Sequence, residues 1–322
     1  MSHFIGDAAG KKTASFSGSF HPVTGKNPNN SGTKTGSMAA GTGTKLRACA
    51  ELIRMDLALG AGCFLVAGEI LAVGGLPPSG QVLFGFLTLF FISGSANISN
   101  DYFDREVDRI NLPGRPLPSG RISVGELWVL FFVFTAAGLA SAAFLGPLVL
   151  GVVLALWGIS LLYNMKLKEY GLYGNLIVAT CLGMMFVTGG IIAGTINGVV
   201  LTFAALAFFF DLGEEIASDT LDVKGDQVRS SESLAKRWGR DRAMTVAGLM
   251  YGIFFVLTIL PFLKGWLGYD YLVLIAITNL VMIPCVLTLM RSRVIEEGRL
   301  QIRRLYLAWG VFVIVFAVTR IL

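Results

Sequence analysis

Histidine is nearly missing from this chain: among 322 residues there are two, His3 and His21, and both fall in the amino-terminal tail. A histidine triad, haem ligation and a histidine general base are therefore outside what the sequence supports. Cysteine is scarce as well. Cys49, Cys63, Cys181 and Cys285 stand singly within apolar segments with no paired spacing, which argues against a disulfide framework or a zinc site and leaves them as small core residues. Charge is the third shortage. Only 15% of the residues are charged against 54% hydrophobic, and the mean hydropathy of +0.68 excludes an ordinary soluble domain. The composition is that of an all-α polytopic membrane protein.

Apolar stretches long enough to cross a bilayer as helices run over about residues 46–74, 80–103, 124–144, 147–163, 173–194, 198–217, 241–263, 269–290 and 302–321, about nine spans in all. Lysine and arginine crowd the connections after spans two, four, six and eight, while the alternate connections hold almost none beyond Lys264. The positive-inside rule then predicts a cytoplasmic amino terminus, cytoplasmic even-numbered loops and a carboxyl terminus outside. Topology and phosphate handling account for the net charge of +5, and nothing points to nucleic acid or to a protein partner. Residues 1–44 are rich in Ser, Gly, Thr, Asn and Lys without hydrophobic periodicity, so they are expected to form a disordered tail ahead of a transmembrane domain over 45–322.

Against that apolar background two acidic ladders stand out. N-I-S-N-D-Y-F-D-R-E-V-D runs from Asn97 to Asp108, and E-I-A-S-D-T-L-D-V-K-G-D runs from Glu215 to Asp226. Asp101, Asp104 and Asp108 are spaced by three and then four, and Asp219, Asp222 and Asp226 repeat that spacing 118 positions later (219 − 101). Steps of three and four keep side chains on one helix face, so each ladder presents a stripe of oxygen ligands. Carboxylates so crowded call for a cation, and hard oxygen ligands suit Mg²⁺, which is commonly shared with substrate phosphates. The repeat predicts two related halves, about 45–172 and 173–290, with a final span at 302–321. Each ladder would emerge from the second helix of its half and face the cytoplasm. Asp56, Glu69, Asp211, Glu214 and Glu215 are further acids within the spans, where such groups usually face a cavity or a partner.

The first ladder continues as R-I-N-L-P-G-R-P-L-P-S-G-R-I-S, a loop stiffened by three prolines, from which Arg115 and Arg121 reach out as forked donors suited to a diphosphate. Lys166 and Lys168 in Y-N-M-K-L-K, and Arg54 at the cytoplasmic end of span one, add cations on the same side. A secondary transporter also combines an internal repeat with intramembrane acids. Acids gathered at a cytoplasmic helix end beside an arginine loop suit a metal-phosphate site better than an ion path that opens to both sides.

N-D-Y-F-D-R-E-V-D-R-I-N-L-P-G-R-P-L-P-S-G-R, with D-T-L-D-V-K-G-D and L-Y-N-M-K-L-K, resembles the UbiA superfamily of intramembrane prenyltransferases over nearly everything after residue 46. The wording of the first motif is most similar to archaeal ether-lipid and chlorophyll-pathway members. The resemblance implies a pseudo-twofold nine-helix bundle in which two Mg²⁺ ions hold the diphosphate of an isoprenoid donor. By position it implies Asn100, Asp104 and Asp108, alongside Asp101, as first-motif ligands, and Asp222 and Asp226 with Asp219 as second-motif ligands. Asp104, Asp108, Asp222 and Asp226 would be the catalytic set, and Arg54, Arg115, Arg121, Lys166 and Lys168 the diphosphate contacts. R-M-D-L from Arg54 to Leu57 replaces the arginine-proline pair and asparagine of many members. The expected reaction is transfer of a prenyl group to a lipophilic acceptor. The foremost case is geranylgeranyl transfer to geranylgeranylglyceryl phosphate, with an aromatic quinone precursor or a tetrapyrrole as alternative acceptors.

Overall fold

Every regular element among the described residues is helical. The structure, a computed structural model, describes residues 42–221 and 232–321, so the expected tail lies almost wholly outside it. The chain opens with α1 (Thr42–Leu52), α2 (Met55–Val73), α3 (Ser79–Phe103) and α4 (Arg105–Asn111). It continues with α5 (Val124–Phe144), α6 (Pro147–Met165), a 3-10 turn (Leu167–Tyr170), α7 (Leu172–Ile192) and α8 (Gly198–Leu221). Last come α9 (Leu234–Trp238), α10 (Arg240–Leu257), α11 (Leu260–Leu263), α12 (Tyr269–Arg291) and α13 (Ile295–Thr319).

Eight segments, α2, α3, α5, α6, α7, α10 with α11, α12 and α13, are long and apolar enough to cross a bilayer. The ninth long helix, α8, has 24 residues, about 36 Å at 1.5 Å per residue, and its acids set it apart from the other eight. The protein is an integral membrane protein.

Consecutive long helices pack against one another, and α13 returns to α2. The two halves repeat the same arrangement: α3 lies between α2 and α5, and α8 lies between α7 and α10. They meet where α2 crosses α7. A methyl group on Gly68 would come within 2.5 Å of the Phe186 carbonyl oxygen, and one on Gly189 would strike the backbone of Leu65 to Glu69. Glycine lets the two backbones touch, as small residues do at crossings within membranes. Gly68 and Phe186 are themselves 118 residues apart (186 − 68), the same offset that separates the two acidic ladders.

The first apolar stretch is expected as one span over 46–74, but it breaks at Arg54. Arg54 adopts φ 49 and ψ 68, the one left-handed non-glycine residue among those described. For an L side chain that conformation costs on the order of 1–3 kcal/mol. Asn97 of α3 stabilises the break by donating its side-chain amide to the Ile53 carbonyl at 3.0 Å, meeting an acceptor that the interrupted helix leaves open. Between α5 and α6 the expected boundary at Gly146-Pro147 is found: Gly146 has φ 113 and Pro147 opens the next helix.

Candidate active site

At Asp104 the chain turns from α3 into α4 with φ −89 and ψ −1, and the Asp108 amide still donates to the Asp104 carbonyl at 2.8 Å. The first ladder therefore stays on one side through the bend. Asp101 and Asp108 are buried, and Asn100 and Asp104 are half-buried.

Cations from three separate elements meet these side chains. Arg54 donates to Asn100 Oδ1 at 3.0 Å and to Asp101 Oδ1 at 3.1 Å. Arg115, from the proline-stiffened loop, donates to Asp108 Oδ2 at 2.6 Å and to Asp101 Oδ1 at 3.3 Å. Lys168, from the 3-10 turn, donates to Asp104 Oδ1. Hydrogen bonds to charged groups are worth about 1.5–3 kcal/mol each, enough to hold the ladder's orientation. Asn164 of α6 fixes Asn100 from behind: its side-chain oxygen accepts from Asn100 at 3.1 Å, and its amide donates to the Ser99 hydroxyl and the Ala96 carbonyl.

The Pro-Gly loop is folded onto itself. The Ile122 amide donates to the Pro116 carbonyl, Gly120 takes φ 74, and Arg121 donates to the Gly114 carbonyl at 2.6 Å. Arg121 also pairs with Glu51 of α1 at 2.6 Å, and that hydrogen bond holds the Glu51 carboxyl below the usual carboxylate range. A cleft of about 360 Å³ opens between α1 and this loop, lined by Glu51, Arg54, Asp101 and Arg115.

In the second half, Asp219 lies in the last turn of α8 and accepts from the Asn175 amide of α7 at 3.0 Å. Asp222 and Asp226 lie outside the described residues. Chain resumes at Glu232, whose amide donates to the Glu169 carbonyl at 2.9 Å, and Gly171 gives it room: any side chain there would strike the Glu232 carbonyl. The segment that follows the second motif is thereby held against the turn that carries Lys168.

Deeper on α8, Asp211, Glu214 and Glu215 bring their carboxylate oxygens within 4.8 Å of one another. The Tyr306 hydroxyl of α13 lies 3.1 Å from Asp211 Oδ1 and 3.0 Å from Glu214 Oε2.

Of the residues singled out in the sequence, Asn100, Asp101, Asp108, Arg54 and Arg115 thus form one network, and Asp104 pairs with Lys168 beside it. Lys166 is exposed at the end of α6 and takes no part in it, and Arg121 faces Glu51 on the outer side of the loop. Asp56 is exposed at the start of α2, while Glu69 is fully buried over Gly85. Asn164, Asn175 and Tyr306 are additional site-facing groups. The available signal for the first two was an amide placed near a bilayer span, where polar groups need partners.

A membrane-crossing helical bundle with acids and phosphate-type cations gathered at one end fits an intramembrane transferase of lipid-tailed phosphate esters. Residues 61–308 match the UbiA prenyltransferase family, and the chain belongs to that family. It is 32% identical to the digeranylgeranylglyceryl phosphate synthase of Thermococcus gammatolerans over 274 residues, covering 85% of this chain and 97% of the relative. A solved structure of a digeranylgeranylglyceryl phosphate synthase superposes with a TM-score of 0.68 at 28% identity, covering 86% of this chain and 99% of that one. A UbiA homologue from Archaeoglobus fulgidus bound to GPP and Mg²⁺ shares the fold with a TM-score of 0.66 at 21% identity, covering 85% and 99% of the two chains. The protein is a prenyltransferase.

Proposed function

We propose that this chain transfers a geranylgeranyl group from its diphosphate to the free hydroxyl of geranylgeranylglyceryl phosphate, forming an ether at the cytoplasmic face of the membrane. One observation carries the chemistry. Asp101, Asp104 and Asp108 meet Arg54, Arg115 and Lys168 at one place, so carboxylate ligands and phosphate-binding cations are concentrated together. The acceptor rests on the identity to the Thermococcus synthase across nearly its whole length. The cytoplasmic side, with the amino terminus inside and the carboxyl terminus outside, follows from the basic connections.

The donor set fits magnesium. Around the ladder the ligand atoms are carboxylate and amide oxygens, with no thiol or imidazole among the residues that make the network, and such a set favours a hard divalent ion. Asn100, Asp101, Asp104 and Asp108 would hold it on one side, and Asp219, Asp222 and Asp226 on the other. When bound, Mg²⁺ neutralises the charge that develops on the departing diphosphate. Arg115 and Lys168, with Arg54, grip the diphosphate oxygens by charge-assisted hydrogen bonds, while Arg121 and Lys166 supply outer positive charge. The surrounding bundle keeps water from the allylic carbon, which it would otherwise capture. Donor and acceptor tails stay in the bilayer, each buried CH₂ contributing about 0.8 kcal/mol.

The test is product analysis by mass spectrometry. Purified protein in detergent receives Mg²⁺, geranylgeranyl diphosphate and geranylgeranylglyceryl phosphate, with aromatic and tetrapyrrole acceptors in parallel. A metal-dependent diether supports the proposal. Prenylation of only an aromatic or tetrapyrrole acceptor refutes the acceptor, and absence of all transfer refutes the reaction.

A further inference from the structure

The acids deeper on α8 lie outside the ladder and its metal-ligand spacing. Asp211, Glu215 and Asp219 follow one another at steps of four, so Glu215 lies about 6 Å below Asp219 along the helix and Asp211 about 12 Å below it. The cluster starts one turn beneath the second motif, on the side toward the hydrocarbon.

Two observations show what this cluster is built to hold. The first is a count of hydrogens. The Tyr306 oxygen is within hydrogen-bond distance of Asp211 Oδ1 and of Glu214 Oε2, yet a phenol has one hydrogen to donate. If Tyr306 donates to one carboxylate, the other contact is made by a proton on the second acid, so the trio is arranged to share a proton. The second observation is a pair of unmet groups. Asp211 Oδ2 and the Tyr251 hydroxyl of α10 are both buried without a hydrogen-bond partner, and Tyr251, 1% exposed, packs its ring over Gly213 of α8, between Asp211 and Glu214 in the chain. Buried polar groups seldom stay unpaired, because each costs about 1–3 kcal/mol. An open acceptor and an open donor on facing helices are complementary to an alcohol, which donates to the carboxylate and accepts from the phenol.

We propose that the cluster of Asp211, Glu214 and Glu215, with Tyr251 and Tyr306, receives the acceptor's alcohol and takes up its proton. This inference rests on the alcohol acceptor proposed above. As the acceptor oxygen attacks the allylic carbon, a carbon–oxygen bond forms and the bond from that carbon to the diphosphate oxygen breaks, its electron pair leaving with diphosphate. The hydroxyl proton passes to whichever of Asp211 and Glu214 is still ionised, the other already carrying the proton that the two Tyr306 contacts require. Ionisation of the donor belongs to the ladder and its cations. Capture by the alcohol belongs to the cluster.

That separation gives a test that a merely structural role would not satisfy. Full-length wild type, Asp211→Asn, Asp211→Glu and Tyr306→Phe are assayed in detergent with Mg²⁺, geranylgeranyl diphosphate and geranylgeranylglyceryl phosphate, and both the ether and the free prenyl alcohol are quantified. Asp211→Asn and Tyr306→Phe should lower ether formation on the order of 100-fold, within the range typical of a lost general base. Geranylgeranyl diphosphate should bind as before by calorimetry, and the consumed donor should shift toward free prenyl alcohol. Asp211→Glu should recover part of the ether. An unchanged ratio of ether to alcohol in both Asp211→Asn and Tyr306→Phe overturns the inference. If wild type itself makes no ether, the fault lies in the acceptor reading instead.

Discussion

Arg115 offers the sharpest probe of the ladder, because it is tied to two buried carboxylates at once. Its side chain is 29% exposed, while those of Asp101 and Asp108 are 4% and 7% exposed. Arg115→Gln keeps a hydrogen-bond donor of similar reach and removes the charge. Asp101 retains Arg54, whereas Asp108 loses the cation at 2.6 Å. Breaking a fully buried pair costs about 3–5 kcal/mol, and the partial exposure of Arg115 brings the expectation down to about 2 kcal/mol. A divalent ion on the same carboxylates would supply the missing charge. Mg²⁺ stabilises each protein according to its own Kd, and because no guanidinium competes for Asp108 in Arg115→Gln, the ion should bind the variant more tightly and narrow the deficit, by about 1.4 kcal/mol for each tenfold difference in Kd. Tryptophan fluorescence during thermal unfolding in detergent, with EDTA or with Mg²⁺, measures both arms. A Tm for Arg115→Gln equal to wild type in EDTA, or a deficit that Mg²⁺ does not narrow, would refute the reasoning.

Asp104→Ala and Asp222→Ala should each lower prenyl transfer by about 100- to 1,000-fold, the scale of a lost transition-state charge contact, and chelation of Mg²⁺ from wild type should abolish it; the ether product read by mass spectrometry decides. Gly68→Ala places a methyl group 2.5 Å from the Phe186 carbonyl oxygen at the crossing of α2 and α7, and should destabilise the bundle by about 1–3 kcal/mol in denaturant titration, whereas Gly60→Ala, which meets nothing within 4 Å, should not. The Glu51 carboxyl is held low chiefly by the Arg121 hydrogen bond, so its contribution is present above the ordinary carboxylate pKa and is lost as pH falls through the lowered one. Protection of the loop over 112–123 against hydrogen exchange, relative to the intrinsic rate at each pH, should therefore fall on acidification in wild type, and Arg121→Gln should show low protection already at neutral pH. An Arg121→Gln loop that exchanges like wild type at neutral pH would remove Glu51–Arg121 as its anchor.

The features legible from sequence were those set by spacing along one chain segment. A stripe at three and four positions is a property of any helix, so the one-sided placement of Asp101, Asp104 and Asp108 needed no tertiary information. The offset of 118 residues between the ladders is also the separation of Gly68 and Phe186, which meet where α2 crosses α7. The break at Arg54 had no Pro or Gly to mark it, although Arg47, Glu51, Arg54 and Asp56 crowd the start of 46–74. What makes it tolerable is remote: Asn97 closes the Ile53 carbonyl, and Asn100 and Asp101 receive the guanidinium.

Charge pattern has the same limit. It assigns a basic loop to one side of the membrane, yet it cannot tell which member of the loop turns inward. Lys166 and Lys168 are two residues apart and equal by that rule, and only Lys168 reaches the ladder, because the backbone enters a 3-10 turn at Leu167 and Gly171 lets the segment at Glu232 press against it. Arg115 and Arg121 divide in the same way, one toward Asp101 and Asp108, the other toward Glu51. The two pairs imply different consequences of mutation. Loss of Lys168 or Arg115 strips the cation from Asp104 or Asp108, the proposed metal ligands, whereas loss of Arg121 loosens the loop that aims Arg115. Arg121 should therefore act on turnover through the position of Arg115, and its substitution should be milder in Arg115→Gln than in wild type. Strict additivity of the two substitutions in prenyl transfer would mean that Arg121 touches the substrate independently.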